Sequence, residues 1–192
     1  MSPKKDIYNR DVKENEETIR VRAASRGDFE SFSRLCERYY SAIVAIAYSQ
    51  IGDRDLAEDA AQETFFAAFR DISKLKKASH FGRWLTKICR NISSDIARAR
   101  VRDKLIPIED CDLTLNDNSK KGNYDEVVRS IIAGLSFKAR EVIYLRYYNQ
   151  MSYQEISKLL GISQEAVNGR LRRAKKIIAK ELGRRASVEV KL

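Results

Sequence analysis

The chain has few of the residues that interrupt helices. Two prolines and eight glycines occur among 192 residues, and apolar and polar residues never alternate with the period of two that a half-buried strand requires. That excludes a β-rich fold. Histidine is rarer still, with His80 alone, and Cys36, Cys89 and Cys111 are odd in number, widely spaced and without a CxxC pair. A disulfide framework or a zinc site would need more. Cys36 and Cys89 fall at apolar helical positions and read as small buried hydrophobes. No nucleophile stands with a base, and no glycine loop could cradle a phosphate, so no catalytic residue, cofactor or metal is expected. No run approaches the roughly 20 apolar residues that span a bilayer. The polar N-terminus MSPKKDIYNRDVKENEE lacks the apolar stretch of a signal peptide. A cytoplasmic chain without membrane insertion is the expectation.

Charge is what the chain has in excess. Charged residues make up 33% of it and the formal net charge is +10, so a polyanion is the expected class of partner. Apolar residues at 43% suffice for one ordinary domain or two small ones. The apolar spacing divides them into two all-α blocks. The first thirteen or so residues lack any stripe. A helix through ETIRVRAASR stops at Gly27, Asp28 caps the next, which ends at Gly52, Asp53 opens a third through about Ser73, and Ser79 a fourth through about Arg102. The stretch KLIPIEDCDLTLNDNSKKGNYDE then carries a proline and clustered acids and no helical stripe, as a linker would. The expected boundaries are a tail at 1–14, a first helical domain at 15–102, an acidic linker at 103–123, a second at 124–183 and a tail at 184–192.

In the second block, Ser152 followed by Glu155 forms a capping-box pattern. Ile156, Leu159 and Leu160 give a short apolar face, Gly161 a turn, and Ser163 a second cap. Two short helices around a tight glycine turn make a helix-turn-helix. In its second helix Val167, Leu171, Ala174, Ile177 and Ile178 form the expected buried stripe, surrounded by Arg170, Arg172, Arg173, Lys175, Lys176 and Lys180. Gln164 and Asn168 can read base edges, and the arginines can neutralise phosphates or contact guanine. Gly169 costs about 1 kcal/mol in mid-helix against alanine; close approach to a DNA backbone would explain it, and so would tight packing.

The third helix carries two faces. Ala61, Phe65, Ala68 and Ile72 follow core spacing, and Asp59, Gln62, Glu63, Phe66 and Arg70 fall opposite. Phe66 among charges has the form of a protein–protein hot spot, unless it packs under a neighbouring loop. Beyond it, His80, Phe81 and Trp84 interleave with cations including Lys74, Lys87, Arg90 and Arg98. Rings stack on bases while cations follow phosphates, as single-stranded nucleic acid requires. The competing reading makes Phe81, Trp84, Leu85 and Ile88 a core stripe; for Leu85 and Ile88 it is preferred, and for Trp84 both can hold.

Five segments in this order, RGDFESFSRL, GDRDLAEDAAQETFFAAF, FGRWLTKICRNISSDIAR, LSFKAREVIYLRYYNQMSYQEISKLLGIS and EAVNGRLRRAKKII, resemble the extracytoplasmic-function (ECF) group of the sigma-70 family of bacterial sigma factors, from about Ile19 to Leu182. The resemblance implies two helical domains on a flexible linker that direct core RNA polymerase to a subset of promoters, in stress or envelope responses. It implies that Asp59, Gln62, Glu63, Phe66 and Arg70 meet the polymerase clamp helices. The stretch from Lys74 to Arg98 would open and read the minus-ten element, with Asn91 among the neighbours of a flipped base. Ser163, Gln164, Asn168, Gly169, Arg172 and Arg173 would read the minus-thirty-five element. The acidic linker would enter the RNA exit path. Asn168-Gly169 stands where many relatives have a cation and then serine, which implies an atypical upstream element. An anti-sigma protein is a further implied partner. The alternative is a free-standing helix-turn-helix regulator, which would need neither the Phe66 face nor the helix around Trp84.

Overall fold

The computed structural model describes residues 16–105 and 123–189, and among these residues every regular element is helical. The expected N-terminal tail and the acidic stretch of the linker, with Cys111, lie outside the described residues.

The first block begins with α1 (residues 16–24). Asp28 then caps α2 (Phe29–Ile51), its carboxylate accepting from the Glu30 amide at 3.2 Å and the Ser31 hydroxyl at 2.5 Å. Helix α2 ends at Gly52, whose φ of 74° is left-handed backbone that suits glycine. Asp53 caps α3 (Arg54–Asp71) through the Leu56 amide. Two 3₁₀ turns, Ile72–Lys74 and Ala78–His80, lead into α4 (Phe81–Leu105). Helices α2, α3 and α4 pack on one another. Ala57, Ala60, Ala61 and Ala68 are fully covered, so α3 presents small residues inward and approaches its neighbours closely. Leu35, Ile43, Ile46, Phe81 and Leu85 fill the centre. Tyr39 donates to Glu17 at 2.6 Å and ties α1 to α2.

The second block contains α5 (Asn123–Ala133), α6 (Phe137–Ile143), α7 (Tyr153–Leu160) and α8 (Gln164–Glu189). A five-residue π turn, Tyr144–Tyr148, continues α6, with the Asn149 amide donating to the Tyr144 carbonyl at 3.1 Å. That turn leaves Tyr147 and Tyr148 exposed and was not anticipated, because nothing in YLRYY distinguishes i+5 from i+4 bonding.

Three boundaries shift. Helix α4 runs to Leu105, three residues into the expected linker, and α5 starts at Asn123 inside its other end. The residues expected as a C-terminal tail continue α8 to Glu189, since nothing after Gly183 breaks a helix; Arg185 donates to the Ser130 hydroxyl at 2.9 Å. Of the expected α8 stripe, Val167, Leu171 and Ala174 are buried and Ile178 packs against the same cluster, whereas Ile177 is exposed, because helical phase carries the covered face from Ala174 to Ile178.

The two blocks are not separate bodies. Helix α6 and the π turn lie against α2, and α7 lies against α4, so one apolar cluster runs from Val21 through Leu35 and Leu85 to Leu145 and Leu171.

Candidate polymerase and nucleic-acid interfaces

On α3, Asp59, Gln62, Glu63, Phe66 and Arg70 are all exposed, Phe66 to 81%. No loop among the described residues covers Phe66. Phe69 and Phe29 continue the aromatic surface, their rings edge-on with centroids 6.0 Å apart, and Phe32 backs Phe69 at 5.0 Å. Arg70 pairs with Asp71 at 3.3 Å. Lys74 takes the same carboxylate at 2.5 Å, and that bond holds Asp71 below its ordinary range.

Helix α4 separates the aromatic-basic residues into two sets. Phe81 is fully buried against Tyr39, 5.6 Å between centroids, so its ring belongs to the core instead of standing open to a base. Trp84 lies 6.0 Å from Phe81 and is half-buried, one side packed and the other accessible. At 100° per residue Trp84, Lys87, Asn91 and Arg98 share one stripe, and Lys87, Asn91 and Arg98 are exposed along it. Arg98 is paired with Asp95. His80 is exposed in the preceding 3₁₀ turn. Arg90 points elsewhere. Its Nε and Nη2 donate to Glu141 Oε1 at 2.9 and 2.7 Å, and Nη2 to Oε2 at 2.8 Å, a bidentate bridge from the first block into the second.

Glu141 is the residue that sequence reading missed. It is fully buried in α6 and lies 3.8 Å from Arg170 Nη1 of α8 as well. Burial pushes its carboxyl above the usual range, while Arg90 and Arg170 pull the other way. A signal existed: Glu141 and Leu145 are four residues apart, which puts an acid in core register beside Val142.

The helix-turn-helix has the expected local chemistry. The Ser152 amide donates to Glu155 at 2.7 Å and the Glu155 amide to Ser152 Oγ at 3.2 Å, closing the capping box. Gly161 has a φ of 66°, and Ser157 Oγ bonds the Ile162 carbonyl at 2.6 Å across the turn. Ser163 Oγ accepts from the Ala166 amide at 3.1 Å. From α8, Gln164, Asn168, Arg172 and Arg173 are exposed together with Ser163. A Cβ on Gly169 would meet only the Arg173 guanidinium, at 3.5 Å, so tight packing within the protein does not account for this glycine.

A groove of about 1240 Å³ lies between the blocks. Tyr39, His80 and Arg83 line one wall, and Tyr153, Lys158 and Gln164 the other. Among the described residues no cluster of three or more metal-ligating side chains occurs, and no helix is long and apolar enough to cross a membrane.

Comparison with known proteins agrees with this division into blocks. The sigma-70 region 2 profile matches residues 35–103 and the sigma-70 region 4 profile residues 125–178. The RNA polymerase sigma factor CnrH of Cupriavidus metallidurans is 32% identical over 84% of this chain and 92% of its own length. The ECF RNA polymerase sigma factor SigW of Bacillus subtilis is 27% identical over 85% of this chain and 95% of its own. The solved structure of CnrH with the cytosolic domain of CnrY superposes with a TM-score of 0.62 at 27% identity, covering 87% of this chain and 97% of that one. Matched in both helical blocks, in order and over most of its length, this chain belongs to the ECF group of the sigma-70 family of RNA polymerase sigma factors.

Proposed function

We propose that the chain works in the bacterial cytoplasm as a promoter-specificity subunit whose three exposed surfaces have separate tasks. The α3 face with Asp59, Gln62, Glu63, Phe66 and Arg70 docks on core RNA polymerase. Trp84, Lys87, Asn91 and Arg98, with Lys74 and His80 at the head of the helix, hold the separated minus-ten strand, Phe81 supporting Trp84 from below. Ser163, Gln164, Asn168, Gly169, Arg172 and Arg173 read the minus-thirty-five duplex. The bond-making chemistry belongs to the polymerase, and this chain's part is binding and positioning. Envelope or other stress genes are the expected targets. CnrH is solved with the cytosolic domain of CnrY, and the sigma factor RpoE of Bartonella quintana with the anti-sigma factor NepR, which supports a similar inhibitor for this chain.

The observation that carries this reading is Phe66. A ring exposed to 81% beside Glu63 and Gln62 has no use within the fold, and an operator-binding regulator working without polymerase would not need it. Run-off transcription with purified bacterial core polymerase and a promoter pool tests it: transcripts that appear only when the protein is added are expected. Absence of both transcripts and core binding would return the chain to a stand-alone DNA-binding regulator.

A further inference from the structure

Along α4, Arg83, Thr86 and Arg90 form a second stripe beside that of Trp84 and Asn91. The second block lies against this stripe, although Arg83 keeps an exposed side. The Arg83 side chain lies against Gly161, where a Cβ would fall 2.5 Å from its Nε. Thr86 is buried with no partner for its hydroxyl among the described residues, and Arg90 grips Glu141. Beside them Arg140 Nε donates to the Ser49 carbonyl at 2.6 Å, and Tyr48 meets Tyr144 at 5.2 Å between centroids.

The closed arrangement is incompatible with promoter reading on simple geometry. Elements centred at minus ten and minus thirty-five are about 25 base pairs apart, roughly 85 Å of duplex at 3.4 Å per step. Here His80 and Gln164, one from each reader, face the same groove. Both readers therefore cannot be engaged while the blocks touch.

The nature of the central contact matters as much as its position. A carboxylate offers a guanidinium the same planar, two-oxygen acceptor that a DNA phosphate does. Glu141 binds one arginine from each DNA-reading helix, Arg90 of α4 and Arg170 of α8. From this we infer that Glu141 is an internal stand-in for a promoter phosphate: it pins the free protein shut and occupies Arg90, and opening on polymerase exchanges that carboxylate for the nucleic-acid backbone. The unpartnered Thr86 hydroxyl fits an interface made to separate, since a buried hydroxyl without a bond is relieved on reaching water. The inference rests on the assignment of α4 and α8 as promoter readers.

The full chain tests it without polymerase. Small-angle scattering should find the wild type compact, and Glu141→Gln and Arg90→Met both more extended, by roughly a fifth or more in radius of gyration as one body becomes two linked ones. Arg90→Met leaves the buried network of α6 and α8 in place, so it remains informative if circular dichroism shows Glu141→Gln partly unfolded. On fluorescent single-stranded DNA of random sequence, Glu141→Gln should bind about tenfold tighter than wild type, the scale of one charge-assisted contact. Glu126→Gln, an equal charge change at an exposed site of α5, and Arg90→Met should not. An extended wild type, or two variants as compact as wild type, would overturn the closure. Equal tightening by Glu126→Gln would overturn the phosphate exchange. Opening in both variants without core-dependent run-off would leave the closure standing and remove the promoter reading.

Discussion

The Arg140 guanidinium is held by three carbonyls, those of Ser49, Ala133 and Leu135, each at 2.6 Å. Two belong to its own block and the third to α2 of the other. One side chain thus closes the turn between α5 and α6 and fixes the packing of both halves. Replacing Arg140 by methionine should lower the unfolding midpoint of the chain and make its transition less cooperative. The loss is about 1.5–3 kcal/mol, the range for hydrogen bonds to a charged group. Calorimetry that returns a wild-type midpoint would show that the three carbonyls are as well served by water.

Phe66→Ala should weaken core polymerase binding by at least about 2 kcal/mol, the threshold of a hot spot, with the unfolding midpoint unchanged because the ring is exposed. A titration against core enzyme decides it, and an unaltered affinity would reject the α3 face.

Trp84→Ala should impair strand opening more than duplex binding. Permanganate reactivity of unpaired thymines in the promoter complex measures the bubble. A bubble of normal extent would assign Trp84 to packing on Phe81 alone.

Gly169→Ala separates stability from recognition by sign. A Cβ there meets only the mobile end of Arg173, so the isolated protein should gain up to about 1 kcal/mol of helix stability. If Gly169 lets the backbone approach DNA, affinity for the upstream duplex should fall at the same time. A gain in both would remove Gly169 from the interface.

Cys36 and Cys89 thiols are both pushed up to about 11 by burial. In a Cys111→Ser background at pH 8, each should react with a disulfide reagent at least about tenfold slower than a free cysteine, since only the scarce thiolate attacks and its greater nucleophilicity offsets part of the loss. Denaturant should restore ordinary reactivity to both. Fast reaction in the native chain would mean that α2 and α4 open locally.

Much of this architecture was legible from one-dimensional signals because those signals are local. The Ser152–Glu155 box, the Asp28 and Asp53 caps and the turns at Gly52 and Gly161 each join residues only a few positions apart. The two faces of α3 follow from helical phase alone. What escaped was long-range. Arg90 and Glu141 are 51 positions apart, and neither residue type says which partner it will meet. Phe81 and Trp84 show the same limit. Phase placed both on α4, but only the position of Tyr39 decides that Phe81 is sealed while Trp84 keeps an open side.

The alanines of α3 have a consequence for how this protein can change. Ala57, Ala60, Ala61 and Ala68, with Thr64 and Phe65, take up the inward contact, so exposed Gln62, Glu63 and Phe66 bear almost no responsibility for holding the helix in place. A lineage can therefore exchange Gln62, Glu63 or Phe66 to suit an altered docking partner without repacking anything beneath them. Drift at the docking surface is cheap, and drift along the alanine row is not, because any larger side chain there would force the helices apart.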